Sequence, residues 1–289
     1  MTTPDLYAVL GNPVEHSRSP RIHQCFAEQT GQAIRYERRL VPLGAFDAAL
    51  AAFRAEGAAG CNVTVPFKFD AARAAARLSP RARLAEAANT LGWDARGQLW
   101  ADNTDGVGLV RDLARLLGRG QAQALRGLDL LLLGAGGAAS GVLGELILAG
   151  ASSIEVWNRN PERAAQLVAR HAAFADEHGT RLRSNPAPRA GHALVIHATA
   201  GALGGATPEL PPGVLHGGAL AYDMMYGATP TAFVRLAREA GASAHDGLGM
   251  LVEQAAESFA LWRGVSVQTA PVLQALRAEL DAEAAARAT

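Results

Sequence analysis

Leu128-Asp129-Leu130-Leu131-Leu132-Leu133-Gly134-Ala135-Gly136-Gly137-Ala138-Ala139 is the stretch that decides the fold. An apolar run of strand length meets a glycine-rich turn, and a helix follows to Ala149, where Gly150 stops it. The GxGxxA order of Gly134 to Ala139 has a physical reading. The first glycine permits a tight turn, the second lets the backbone approach a pyrophosphate, and the third small residue lets helix pack on strand. The helix start then offers free N–H groups and positive dipole to phosphates. By itself such a motif also fits a tight turn that binds nothing. A strand before it and a helix after it favour a dinucleotide site built from Gly134, Ala135, Gly136, Gly137 and Ala138.

Downstream, Ile154-Glu155-Val156-Trp157 reads as the next strand, and its end selects the dinucleotide. An Asp or Glu there would hold a ribose 2′-hydroxyl and repel a 2′-phosphate. This chain has Asn158-Arg159-Asn160 with Arg163 beyond, and Glu155 lies too early, inside the strand. Guanidinium groups bind phosphate through charge-assisted hydrogen bonds, so the reading is NADP, with Asn158, Arg159, Asn160 and Arg163 as contacts. The plainer alternative is a solvated arginine pair at a helix start, a placement that the helix dipole opposes. Ala193 to His197 and Ala219 to Met224 read as further strands. The Gly- and Pro-rich stretch 200–218 reads as a surface loop. From Gly247 the chain reads as helical, one helix to about Trp262 and another from about Ala270 to the end.

Upstream, Tyr7 to Leu10 reads as a buried strand, and Ser19-Pro20 opens a helix through about Thr30, with Gly31 after its end. A strand over Ile34 to Val41 precedes a helix that carries Phe46, Leu50 and Phe53 at helical spacing. Cys61 to Val65 is a third strand, after which Pro66 starts a helix. Asn89 to Trp93 and Gln98 to Trp100 flank a turn and read as a hairpin. A helix begins near Asp105, with Val107, Val110, Leu113 and Leu117 on one face. Two strand–helix blocks, each with its own parallel sheet, predict an α/β protein of two domains.

Composition narrows the function. The 289 residues are 49% apolar, enough for two ordinary cores, and Lys+Arg and Asp+Glu both count 27. Nothing forms the basic face that nucleic acid requires. No run reaches the ~18 apolar residues of a membrane span. Met1 to Asp5 shows neither the positive nor the apolar segment of a secretion signal. Cys25 and Cys61 form no CxxC pair and the eight histidines show no ligand spacing. Neither a disulfide nor a metal is expected, and a cytoplasmic setting is.

Candidate chemistry clusters in the first block. Ser17 and Ser19 lie on the loop Gly11-Asn12-Pro13-Val14-Glu15-His16-Ser17-Arg18-Ser19-Pro20, and two hydroxyls can hold a carboxylate or polyol. Taken alone, Ser19 is a helix N-cap. Asn62 and Thr64 face one side of an alternating strand. Lys68 alone is an exposed helix residue, and Asp105 in Asn103-Thr104-Asp105-Gly106 alone is another N-cap.

Together these pieces resemble the shikimate dehydrogenase family. The likeness runs through Gly11 to Pro20, Asn62 to Lys68, Ala88-Asn89-Thr90-Leu91, and Asn103-Thr104-Asp105-Gly106-Val107-Gly108. It continues through Gly134 to Gly137, Asn158-Arg159 with Arg163, Tyr222-Asp223-Met224-Met225-Tyr226-Gly227, and Asp246 to Ala255. The resemblance implies that Ser17 and Ser19 bind the carboxylate of shikimate or 3-dehydroshikimate. It assigns the ring hydroxyls to Thr64, Asn89 and Gln254, with Asn62 and Tyr226 beside them, and makes Lys68 and Asp105 the catalytic pair. It adds Thr199, Met224 and Gly247 to the NADP contacts. Residues 1–106 and 246–289 would form the substrate domain, and 107–245 a Rossmann-type doubly wound NADP domain. A homodimer is carried as an expectation, with no nucleic acid and no membrane as partner.

Three departures stand out. The family's Asn-Ala-Thr-Ser reads His197-Ala198-Thr199-Ala200, which puts cofactor affinity near the nicotinamide in doubt. Thr-Pro-Phe reads Thr231-Ala232-Phe233, and Ala-Gly-Ala reads Ala85-Glu86-Ala87, bringing a carboxylate near the substrate loop.

The implied reaction needs a hydride acceptor, a base for the hydroxyl proton and support for the alkoxide. NADP supplies the first and the Lys68/Asp105 pair the others, acting as one coupled unit. The nearest rival is a quinate or dual quinate/shikimate dehydrogenase, with the Ser17/Ser19 loop as the place of discrimination, or a paralogue acting on a related polyol acid. A non-catalytic metabolite sensor on the same fold would lack Lys68 or Asp105, or carry a DNA-binding module.

Overall fold

A computed structural model describes residues 3–199 and 210–288. Its first half holds β1 (Asp5–Gly11), α1 (Ser19–Thr30), β2 (Ile34–Leu40), α2 (Phe46–Ala55), β3 (Ala58–Val63), α3 (Lys68–Ala74), β4 (Arg77–Leu78), α4 (Pro80–Ala85), β5 (Thr90–Trp93), β6 (Leu99–Asp102) and α5 (Asp105–Leu117). A short 3-10 turn leads to β7 (Asp129–Leu133), α6 (Gly137–Leu148), β8 (Ser153–Trp157), α7 (Pro161–Glu177), β9 (Arg181–Ser184) and β10 (Leu194–His197). Next come β11 (Leu220–Asp223), α8 (Ala232–Glu239), β12 (Ser243–His245), α9 (Leu248–Arg263) and α10 (Thr269–Ala288).

The strands form two six-stranded sheets, ordered β2-β1-β3-β5-β6-β4 and β12-β11-β10-β7-β8-β9. The second is parallel throughout and doubly wound, with its order reversing between β7 and β10. The first departs from the expected parallel sheet. Its β1, β2 and β3 are parallel, but the β5–β6 hairpin joins antiparallel to β3, so the sheet is mixed. A hairpin reverses direction between its strands, so its addition makes the sheet mixed whichever strand joins the parallel core.

Strand alternation explains the layers. Leu130 and Leu132 bury against α5, α6 and α7, while Leu131 and Leu133 face Phe233 and Ala237 of α8. In the first sheet Leu10, Cys61 and Val63 pack with Phe46, Leu50 and Phe53 of α2. The final helices go with the first block: Val252 and Phe259 of α9 and Val272, Leu276 and Leu280 of α10 close over Ile22 and Phe26 of α1. Arg18–Glu283 at 2.5 Å and Arg21–Glu279 at 3.0 Å stitch α1 to α10.

Helix starts follow local chemistry, with three differences from expectation. Arg18, not Ser19, holds the N-cap position of α1 without a capping bond from its own side chain, and Ser19 N–H reaches Ser17 Oγ at 3.3 Å. The helix expected at Pro66 begins at Lys68, because Phe67 N–H closes a turn on the Thr64 carbonyl at 3.0 Å. Thr104 occupies the N-cap position of α5 and Asp105 its first turn, where a carboxylate meets the positive end of the helix. Ala200 and most of the expected loop 200–218 lie outside the described residues.

Candidate active site

The carboxyl ends of β1, β3 and β6 and the start of β5 converge on one edge of the first sheet. The loops after β1 and β3 lie side by side, with Thr64 N–H on the Leu10 carbonyl at 2.9 Å and Asn12 N–H on the Val65 carbonyl at 2.9 Å. The Asn89 carbonyl takes Val63 N–H at 2.8 Å, and Asn89 N–H reaches the Asp102 carbonyl at 3.1 Å. These bonds fix Thr64, Lys68, Asn89 and Asp105 around one point.

At that point Lys68 Nζ lies 2.5 Å from Asp105 Oδ2, with side chains only 12% and 6% exposed. The other oxygen, Oδ1, accepts from Asn89 Nδ2 at 2.9 Å, and Asp105 N–H donates to Asn103 Oδ1 at 3.1 Å. Asn89 Nδ2 also lies 3.1 Å from Gln254 Oε1, which brings α9 to the same place. A lysine and a carboxylate in hydrogen-bond contact, one of them oriented by an amide, can exchange and hold a proton.

Ser17 and Ser19 face each other, with hydroxyl oxygens 3.2 Å apart. Ser19 is buried and Ser17 is half-buried. Tyr226 packs against the α1/α9/α10 core, and burial pushes its phenol pKa up. Asn62 is placed differently from an open ligand. Its Oδ1 accepts from Tyr36 at 2.7 Å, and its Nδ2 meets the Asn89 carbonyl at 3.0 Å, Thr90 Oγ1 at 3.2 Å and Ser258 Oγ at 3.1 Å. Its amide is thus engaged within the protein.

Tyr36 and Ser258, which the sequence does not single out, and Thr90 and Thr104, which lie in the family-like stretches with no role of their own assigned, form the buried polar floor beneath the pair. Thr104 N–H donates to Asn89 Oδ1 at 2.8 Å, and Ser258 Oγ lies 2.7 Å from Thr90 Oγ1 and 3.1 Å from Thr104 Oγ1. For Ser258 the available signal is its place, a small hydroxyl four residues after Gln254 on the buried face of α9.

The second sheet supplies the cofactor edge. Gly134 has φ +124, and a Cβ there would stand 2.9 Å from the Ala198 carbonyl oxygen, so only glycine fits. Gly136 caps α6 without a side-chain partner, which leaves the first N–H groups of Gly137 and its successors open to an anion. A Cβ on Gly137 would lie 3.2 Å from Lys68 Cβ, so this helix start abuts the Lys68/Asp105 pair. At the end of β8, Arg159 and Arg163 are exposed, and neither guanidinium has a partner among the described residues. Asn160 is the N-cap of α7: its Oδ1 accepts from the N–H groups of Glu162 at 2.9 Å and Arg163 at 3.3 Å. Asn158 Nδ2 donates to the Asn160 carbonyl at 2.9 Å. Glu155 is buried and held by Asn185, Arg183 and His192, away from that end. Two cations without a partner among the described residues, a bare start of α6 and no carboxylate at the last residues of β8 fit a dinucleotide bearing a 2′-phosphate, although Glu162 stands exposed in the first turn of α7. Thr199 follows β10, while Met224, after β11, and Gly247, before α9, touch through the Met224 carbonyl.

Comparison with known proteins agrees with this arrangement. Residues 9–91 match the shikimate dehydrogenase substrate binding domain, and residues 247–277 match the shikimate 5′-dehydrogenase C-terminal domain. A shikimate dehydrogenase (NADP(+)) of Acidovorax sp. (strain JS42) is 54% identical over 97% of this chain and 98% of its own. The chain belongs to the shikimate dehydrogenase family. Among solved members and neighbours, an Ael1 enzyme from Pseudomonas putida is 43% identical with TM-score 0.81, covering 94% of this chain and 98% of its own. The Thermus thermophilus shikimate 5-dehydrogenase, solved with NADP(H) and shikimate, is 34% identical with TM-score 0.79, covering 94% and 98%. Within this family frame the departures acquire structure. Glu86 takes the left-handed conformation, φ 51, that suits the glycine usual there, and pairs with Arg170 of α7 at 2.8 Å. Thr231 caps α8 through Val234 N–H at 3.2 Å, so Ala232 stands at a helix start without proline's fixed φ.

Proposed function

We propose that this chain is an NADP-dependent shikimate dehydrogenase, an oxidoreductase that reversibly reduces 3-dehydroshikimate to shikimate in aromatic amino-acid biosynthesis. The observation that carries the reading is the Lys68–Asp105 contact at 2.5 Å, set against the bare start of α6. NADPH, when bound, supplies the hydride. Gly134 to Ala138 hold the pyrophosphate, and Arg159 and Arg163, with Asn158 beside them, hold the 2′-phosphate. Asn160 shapes that site by capping α7. Met224 and Gly247 line the nicotinamide end.

Ser17 and Ser19 anchor the substrate carboxylate; Thr64, Asn89, Gln254 and Tyr226 orient the ring, and Asn62 braces their floor. Lys68 hands a proton to the ketone oxygen as it becomes an alkoxide, and takes one back in the oxidising direction. Asp105 holds the ammonium in place, and Asn89 holds Asp105. Residues 1–106 and 246–289 form the substrate domain and 107–245 the cofactor domain. That boundary falls inside the first turn of α5, a helix packed on both α6 and α9. Such a shared helix suits closure of the two edges around substrate.

No helix among the described residues is long and apolar enough to cross a membrane. The free thiols Cys25 and Cys61, both raised in pKa by burial, support the cytoplasmic setting. The homodimer belongs to the same proposal, with sedimentation velocity as its check. Incubation with NADPH and 3-dehydroshikimate, with the product identified by NMR, tests the activity. Shikimate is the expected product, and unchanged 3-dehydroshikimate with active-site residues intact would refute the reading.

A further inference from the structure

His197 and Asp223 end adjacent strands, β10 and β11, and the register pairs them. Both side chains are buried, 1% and 0% exposed, with His197 Nδ1 3.0 Å from Asp223 Oδ1. Asp223 Oδ1 also accepts Met225 N–H at 3.1 Å, and Oδ2 accepts the Thr231 hydroxyl at 2.6 Å. On the far side of the ring, His197 Nε2 lies 2.6 Å from Thr199 Oγ1. The ring stacks on Phe233, centroids 4.8 Å apart and planes 12° apart, so it cannot swing.

With a neutral imidazole, this arrangement sets the direction of a hydroxyl proton. A carboxylate only accepts, so the ring proton facing Asp223 sits on Nδ1. A ring with one proton then presents a bare Nε2, and the Thr199 hydroxyl donates to it. With its proton so committed, the Thr199 oxygen has only lone pairs left to offer.

The place where it offers them is defined by the sheet. Thr199 Cγ2 stands 3.3 Å from a Cβ built on Gly134, at the crevice where strand order reverses between β7 and β10. The unpartnered arginines lie on the β8 side of that crevice, and Lys68 lies at the start of α6. A dinucleotide whose 2′-phosphate is on the β8 side puts its other end over β10 and β11.

We propose that Asp223 and His197 are positioning residues that hold the Thr199 hydroxyl as an acceptor for the carboxamide N–H of the nicotinamide, fixing the ring rotation that presents one face to the substrate. The inference rests on the NADP reading above and adds to it the device that orients the reactive ring. It also turns the His197 departure into a gain: the imidazole spans from a buried carboxylate to the cofactor edge.

The test is binding, read by isothermal titration of the full chain. Three probes are used: NADP+, its 3-acetylpyridine analogue, in which methyl replaces the carboxamide NH2, and 2′,5′-ADP. The parent chain is expected to bind NADP+ about three- to tenfold tighter than the analogue, the worth of one hydrogen bond. Thr199→Val and His197→Phe lose that preference, while Thr199→Ser and His197→Gln, which keep an acceptor chain, retain it. All variants bind 2′,5′-ADP equally, which reports an intact fold and adenosine end. Thr199→Val keeps the buried Nδ1–Asp223 bond of His197 and removes only the hydroxyl on Nε2, so it decides the acceptor role even if His197→Phe is unstable. A full preference in Thr199→Val, or none in the parent chain, overturns the proposal. A parent chain that fails to bind 2′,5′-ADP instead overturns the NADP reading on which it stands.

Discussion

Lys68 and Asp105, 37 residues apart in sequence, meet at 2.5 Å where the edges of the two sheets face each other. Asn89 fixes the second carboxylate oxygen, so the pair has one orientation. General acid–base groups contribute about 10²–10⁴-fold to rate. Lys68→Ala is therefore expected to lose kcat by that order while KM for shikimate moves only a few-fold, by steady-state kinetics. Asp105→Asn keeps shape but not charge, and is expected to lower kcat by about tenfold or more. A Lys68→Ala chain with near-parent kcat would remove Lys68 from the chemistry.

In the proposed function, Arg159 and Arg163 govern cofactor choice. Hydrogen bonds to charged groups contribute about 1.5–3 kcal/mol each, or about tenfold or more in affinity. Arg159→Ala and Arg163→Ala should each raise KM for NADPH by that factor and leave KM for NADH nearly unchanged. Equal losses for both cofactors would place these arginines elsewhere than on a 2′-phosphate.

His23 sets an acid limit on stability. It is fully buried, stacked on Tyr36 at 4.3 Å, and neither ring nitrogen has a hydrogen-bond partner among the described residues. Burial pushes its pKa down to about 3 and takes His171 down to about 4. The folded pKa lies below the ordinary value, so the unfolded chain binds more protons between about pH 6.5 and these values. Stability is then full above about pH 6.5 and falls as pH drops, by about 1.4 kcal/mol per unit for each such histidine. His23→Phe keeps the stacking surface and should reduce the slope between pH 6 and 4 by about one histidine's worth, measured by urea denaturation.

Glu86 carries both a strain and a contact. Its left-handed backbone costs a non-glycine residue about 1 kcal/mol, while its exposed pairing with Arg170 contributes about 0–1 kcal/mol. Glu86→Ala loses the pair and keeps the strain; Glu86→Gly loses both. Thermal or urea unfolding should find Glu86→Gly more stable than Glu86→Ala by about 1 kcal/mol, at high salt as well as low.

Elements with strong apolar periods are legible: α2 carries its expected Phe46, Leu50 and Phe53, and β7 with its glycine turn stands where the sequence puts it. The short β4, β9 and β12 are not legible. Arg181-Leu-Arg-Ser184 is four residues at a sheet edge with little buried surface, so pairing rather than pattern makes it a strand. The mixed first sheet is half-legible: the hairpin can be read, but not which strand it joins. In the site, Lys68, Asp105, Asn89 and Gln254 come together, whereas Tyr36 and Ser258 carry no motif, and Thr90 and Thr104 lie in motifs that do not say what they bond. Lone hydroxyls on helices and strands become a network only when tertiary packing brings four elements together. Nor can sequence show that His197 has Asp223 as partner, since that depends on register between β10 and β11.

The most direct test is absorbance at 340 nm, with purified protein and NADP+ or NAD+ paired in turn with shikimate or quinate. The account predicts rapid reduction with NADP+ and shikimate, and little in the other three pairings. Reduction only with quinate, or equally well with NAD+, would contradict the roles given to Ser17, Ser19, Arg159 and Arg163. No reduction in any pairing would contradict the assignment of Lys68 and Asp105 to this reaction.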